Sequence, residues 1–160
     1  MSQAPTPSGT ARGYESPSVT QFSIFLPNRV GKLMELVKGF DDRSCRIQAL
    51  AVHDASDHAV VRILCNNAAE ARTILAEQGL SFIELTVLVV CLDAERTYSK
   101  MCGYLLSAEL NIRFLYPLMG WDNGPAALAL AIDDPTLAAQ ILIRKEFRLL
   151  GESDLPRYGE

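Results

Sequence analysis

Apolar and polar residues alternate through "VTQFSIFL" (19–26), which sets Phe22, Ile24 and Leu26 on one face and predicts a strand. The period then changes. After "PNRVG" (27–31), Leu33, Leu36, Val37 and Phe40 follow the i, i+3, i+4, i+7 spacing of one helical face. "CRIQALAVHD" returns to alternation, with Ile47, Ala49 and Ala51 on one side and Leu50 and Val52 on the other. The turn "ASD" and the apolar "HAVVRILC" then predict a hairpin. In "NNAAEARTILAEQG" an Asn precedes a helical face of Ala71, Ile74, Leu75 and Gln78, and Gly79 stops it. A fourth strand lies within "SFIELTVLVVCL".

The same order recurs in the second half. "DAERTYSKMCGYLLSAEL" places Tyr98, Met101, Cys102 and Leu105 at helical spacing. "NIRFLYPLM" and "PAALALAID" read as strands around the turn "GWDNG". "DPTLAAQILIRK" begins with Asp134 as N-cap and Pro135 at the first helical position, with Leu137, Ile141 and Leu142 facing inward. "EFRLLG" is a last short strand. Setting "RIQAL" against "NIRFL" pairs Ile47 with Ile112 and Leu50 with Leu115 at one offset of 65 residues, and Phe40 with Leu105. Element order and apolar phase agree across both halves, the signature of an internal duplication.

Each half therefore reads β-α-β-β-α-β, the ferredoxin-like order, giving an α+β protein of two repeats. Their sheets are antiparallel, with helices on one face. "LTVLVVCL" (85–92) is too long and too uniformly apolar for an edge strand, so it is expected to close the first repeat and open the second. The expected boundaries are a flexible N-terminal tail over 1–18, repeats over 19–85 and 86–155, and a C-terminal tail over 156–160.

Composition narrows the function. Of 160 residues, 49% are hydrophobic and 21% charged, as in a soluble globular chain; the net charge of −4 and pI near 5.2 argue against nucleic acid or an anionic membrane as partner. The N-terminus lacks the apolar core of a signal peptide, so a cytoplasmic location is expected. The four cysteines, 45, 65, 91 and 102, show no CxxC pairing and read as small apolar fillers. His53 and His58 flank the hairpin turn, where a metal held with Asp54 or Asp57 is conceivable but a plain surface loop is commoner. Cys91 and Cys102 have no neighbouring histidine to act as base, and no nucleophile or phosphate-loop motif is present. No catalytic residue, cofactor or metal is expected. Trp121 sits at a hairpin turn, able to meet another subunit or pack over its own hairpin.

One motif points to a ligand. In "LPNRVGKL" (26–33), Gly31 permits close approach to the main chain, the following helix start presents N–H groups suited to a carboxylate, and Asn28 adds a donor and an acceptor. On spacing alone the motif is more readily a mere strand-to-helix turn.

"SIFLPNRVGKL", with "CRIQALAVHD" as second strand and the following hairpin and helix, resembles the ACT domain, a ferredoxin-like module of regulated amino-acid metabolism. The likeness spans about Val19 to Leu155 as a tandem of ACT-type repeats. It implies a non-catalytic regulatory protein binding an amino acid where the first-strand turn of one module faces the second strand of another. Carried onto this chain, the ligand-binding residues are Asn28, Arg29, Val30 and Gly31 in the turn, and Arg46, Ile47, Asn111 and Ile112 in the second strands. Arg46 stands where Asn is frequent. In the second repeat Thr97 falls near the Gly position and no Asn matches. One site per pair is therefore expected, joining Asn28–Gly31 to Asn111 and Ile112, with Leu50 and Leu115 in the core or an interface. The resemblance also implies an allosteric homodimer read by a partner enzyme or regulator. The alternative is a dimerisation or interaction module whose ligand site is degenerate.

Overall fold

The structure, a computed structural model, describes residues 17–119 and 124–156. Trp121 lies outside these, as do residues 1–16 and 157–160 of the two expected tails. The elements run β1 (Val19–Pro27), α1 (Lys32–Lys38), β2 (Ile47–Ala55), β3 (His58–Cys65), α2 (Ala68–Glu77) and β4 (Ser81–Leu92). They continue with α3 (Tyr98–Ser107), β5 (Ile112–Pro117), β6 (Ala126–Ile132), α4 (Pro135–Arg144) and β7 (Leu149–Leu150). No described helix is long and apolar enough to cross a membrane.

The chain divides into two units. Among the described residues, the first holds Thr20–Leu85 with Leu155 and Pro156, and the second holds Thr86–Asp154 with residues 17–19. In the first, β3 pairs antiparallel with both β1 and β2, and β1 neighbours β4. In the second, β6 pairs antiparallel with β4 and β5, and β7 pairs with β4. Both units thus carry the strand order fourth–first–third–second of a ferredoxin-like repeat. β4 is the fourth strand of one and the first strand of the other. Its run Val87–Cys91 is buried throughout, as a strand shared in this way requires.

In each unit both helices cover the same strand face. In the first, Phe22, Ile24, Leu26, Val61 and Ile63 meet Leu36 of α1 and Ala71, Ile74 and Leu75 of α2. In the second, Leu88, Val90, Leu130 and Ile132 meet Met101 and Leu105 of α3 and Ala138 and Leu142 of α4. Asn67 caps α2 by accepting from the Glu70 N–H at 3.1 Å, and Asp134 caps α4 by accepting from the Leu137 N–H at 3.0 Å.

Three inward assignments are corrected. Leu33, Tyr98 and Leu137 are exposed because each sits in the first turn of its helix. The buried faces instead run through Leu36 in α1, Met101 and Leu105 in α3, and Ala138 and Leu142 in α4. The strict alternation of β2 is also broken. A bulge between Ile47 and Ala49 puts Ile47 and Leu50 on the core together, while Ala49 is buried outside the helix-covered cluster. The second unit repeats the irregularity between Ile112 and Phe114, and Ile112 and Leu115 pack on its core in the same way. The duplication is therefore structural down to one bulge.

Candidate functional site

The turn after β1 is fastened to the neighbouring hairpin. Asn28 donates its side-chain N–H groups to Asp54 Oδ1 and to the Ser56 carbonyl, both at 3.2 Å. Its backbone N–H reaches the Asp57 carbonyl at 3.4 Å, and the Arg29 N–H the Pro27 carbonyl at 2.8 Å. Val30 then stands fully exposed, and Gly31 takes φ 89° and ψ −12°, in the left-handed region that suits glycine. No side chain caps α1. The first i→i−4 bond runs from the Glu35 N–H to the Gly31 carbonyl at 3.0 Å, so the Leu33 and Met34 amides precede the helical ladder. Lys32 Nζ lies 3.0 Å from Glu35 Oε2 beside them. Next to this turn, Leu26, Pro27, Lys32, Leu36 and Leu80 line an open cleft of about 460 Å³.

The corresponding turn of the second unit is filled from within. Asp93 Oδ1 accepts from the Glu95 N–H at 2.9 Å and the Arg96 N–H at 2.7 Å, and Oδ2 accepts from Arg96 Nη1 at 3.0 Å. These bonds, the Arg96 N–H above all, hold the Asp93 carboxyl below the usual carboxylate range. Thr97 takes the N-cap place that Gly31 has in α1, with φ −84°, and its hydroxyl accepts from the Lys100 N–H at 3.3 Å. A carboxylate at such a turn is what the sequence reading missed. Asp93 four residues before an N-cap Thr was the available signal, since Asp readily bonds backbone N–H groups two and three residues on.

The second-strand residues are built alike in both units. The Arg46 N–H donates to Asn66 Oδ1 at 2.8 Å, and the Asn66 N–H returns a bond to the Arg46 carbonyl at 3.2 Å. The Asn111 N–H donates to Asp133 Oδ1 at 3.2 Å, and the Asp133 N–H reaches the Asn111 carbonyl at 3.3 Å. Arg46 and Asn111 are exposed, and Ile47 and Ile112 half-buried.

Within the first unit these residues do not meet the turn. Register places Pro27 and Ala55 opposite His58 at one end of the sheet, and Gln21 and Ala49 opposite Leu64 at the other. Arg46 and Ile47 therefore lie about 25 Å from Asn28 along the strands, at roughly 3.3 Å per residue. A site using both elements needs them from different modules.

Of the two histidines, His58 is paired with Pro27 beside the turn, and the other lies five residues earlier on β2. His53 is exposed, and His58 Nδ1 lies 2.9 Å from Asp57 Oδ1. Among the described residues no three His, Cys, Asp or Glu side chains are grouped to hold a metal. The four cysteines are thiols rather than disulfides, with Cys45, Cys65 and Cys91 buried and Cys45 Sγ donating to the Asn67 carbonyl at 3.3 Å.

This architecture places the chain among known proteins. The profile of the ACT domain pair matches residues 17–158, and the chain belongs to that family. Among solved structures it is similar to protein BT0572 from Bacteroides thetaiotaomicron, at 22% identity and TM-score 0.76, covering 87% of this chain and 97% of that one. It is also similar to the regulatory subunit of aspartate kinase from Thermus thermophilus, at 13% identity and TM-score 0.55, covering 79% and 91%. The α and β subunits of an aspartokinase match at 12% identity and TM-score 0.53, over 81% and 93%. No curated protein matches the chain.

Proposed function

We propose that this ACT pair is a non-catalytic regulatory protein that binds an amino acid between modules. The turn Asn28–Gly31 of the first repeat takes the carboxylate, and Asn111 and Ile112 of a second-repeat strand complete the site. One observation carries the reading: the second turn already holds a carboxylate, that of Asp93, on its backbone amides, whereas no side chain caps the first. The first turn can receive from a ligand what the second receives from its own chain. The fold supports a regulatory role, since one similar structure is a regulatory subunit of aspartate kinase. The protein acts as a cytoplasmic homodimer, and a partner enzyme or regulator reads the ligand-bound arrangement.

A second reading, an interaction module with a degenerate site, is favoured by Asn28. Its donors are already taken by Asp54 and Ser56. A thermal-shift panel separates the two. Each of the twenty amino acids is tested at millimolar concentration on the wild type, Asn28→Ala and Gly31→Ala. A ligand at 100 times its Kd adds about 2.7 kcal/mol, a shift of several degrees. We expect one or a few amino acids to shift the wild type and neither variant. A flat panel on folded protein would leave the interaction module standing.

A further inference from the structure

The start of β2 in the first unit already has a ligand, and it comes from the same chain. Gln48, the extra residue of the β2 bulge, is only 3% exposed, and Asn66 only 4%. Both carboxamides converge on one oxygen. Gln48 Nε2 donates to the Pro156 carbonyl at 3.1 Å and Asn66 Nδ2 donates to it at 2.8 Å. Leu155, just before it, is 2% exposed, so the segment is seated by an apolar anchor as well as by two hydrogen bonds. A bulge re-aims the side chain it carries, and here it brings Gln48 to the same oxygen as Asn66.

The arrangement is absent from the second unit although the backbone is repeated there. The bulge residue is Arg113, which is exposed, and Asp133 stands where Asn66 does. Asp133 still accepts from the Asn111 N–H, as Asn66 accepts from that of Arg46, but an ionised carboxylate has no N–H left to donate. The two repeats therefore agree on the bond that shapes the strand start and differ in the pair of donors. Buried donors left without an acceptor are costly, so the pair requires an oxygen between them.

We propose that Gln48 and Asn66 form a carbonyl-binding site whose ligand is the chain's own Leu155-Pro156 segment, which keeps the first-unit β2 start from serving as an effector half-site. The consequence for effector binding rests on the function proposed above; the strap itself does not. Together with Asp93 in the second turn, it leaves the first-turn amides and the second-unit strand start as the pair named above, the Asn28 side-chain donors being held by Asp54 and Ser56. The arrangement is asymmetric by chemistry: each closed half-site is occupied by an oxygen of the chain itself, the Asp93 carboxylate in one and the Pro156 carbonyl in the other.

The test uses the full chain with two substitutions made separately. Asn66→Asp keeps the acceptor for the Arg46 N–H and removes the donor, copying the second unit. Gln48→Met keeps length and removes both polar atoms, without introducing a buried charge. Hydrogen exchange is followed at the Leu155 amide and its neighbours, with β3 and α2 amides reporting that the unit is folded. Each variant is expected to speed exchange at Leu155 about tenfold while β3 and α2 keep their protection. Unchanged exchange at Leu155 in a folded Gln48→Met protein overturns the proposal. The amino-acid panel is then repeated on both variants. A response that differs from that of the wild type, in size or in the amino acid that elicits it, is expected once the strap is released, and a response equal to that of the wild type while Leu155 exchanges faster would overturn the closure. A panel flat for wild type and variants alike removes the effector reading, while exchange at Leu155 still decides the strap.

Discussion

Gly31 does its work through one backbone angle. At φ 89° an L side chain is strained, yet a Cβ built there meets nothing within 4 Å. Gly31→Ala should therefore cost about 1–2 kcal/mol from the left-handed conformation alone, with no packing loss added. Urea denaturation of the wild type and variant measures this, and Gly31→Asn should lose less, because Asn tolerates that region better. A cost near zero would mean the turn relaxes to another shape. The glycine was legible in the sequence because few residues other than glycine suit that angle. The partners of Asn28 were not, since Asp54 and Ser56 lie 26 and 28 positions away and only the β2–β3 pairing brings them near. Asp93 illustrates the opposite case. Its bonds to Glu95 and Arg96 are local, and they escaped a reading that looked for the glycine and asparagine of the first turn instead.

Helix ends and strand faces differ in how far local sequence decides them. The N-caps of α2 and α4 are set by one side chain and an amide three residues on, so Asp134 could be read directly and Asn67 found within "NN". Replacing Asn67 by Ala should cost about 1 kcal/mol, and Asp134 by Ala a similar amount, measured as the change in urea midpoint at constant slope. If either change were neutral, the N–H it leaves would have found water or another acceptor. Faces were harder. Alternation in "RIQALAV" predicts Ile47 and Ala49 together, but the bulge at Gln48 inserts a residue and reverses the phase. Nothing in a period-two count shows this. The offset of 65 residues does, in retrospect, because Ile47 and Leu50 map onto Ile112 and Leu115, and two apolar residues three apart recur at the start of both strands.

Across the whole molecule the duplication explains what is shared, and charge explains how stability should vary with pH. The repeated order of elements was legible because each is short, amphipathic and separated by turn residues. The proposed pairing of strand and turn into one ligand site came from the family resemblance alone, because within the first unit those elements sit at opposite ends of the sheet. Among the described residues three carboxyls are held below their ordinary range. A hydrogen bond from the His58 ring lowers Asp57, one from Arg72 lowers Glu84, and the Arg96 N–H lowers Asp93. The first two lie in the unit of residues 20–85 and the third in the unit of residues 86–154. A carboxyl whose folded pKa is depressed binds fewer protons folded than unfolded. Its contribution is complete above the unfolded value, about 4, and is lost as pH falls through the folded one. Cys91 acts at the other end of the scale. Burial pushes its thiol up, so its contribution is complete below the unfolded value of about 8.5 and declines as pH rises through the folded value. Urea midpoints should therefore form a plateau between about pH 5 and 8, falling on both sides. Asp93→Asn should lower the plateau and flatten the acid limb, because the lost carboxylate can no longer be protonated. A midpoint that stays level from pH 6 to 3 would show that these bonds add nothing to folding. An acid limb just as steep in Asp93→Asn would assign it to Asp57, Glu84 and other carboxyls rather than to the second turn.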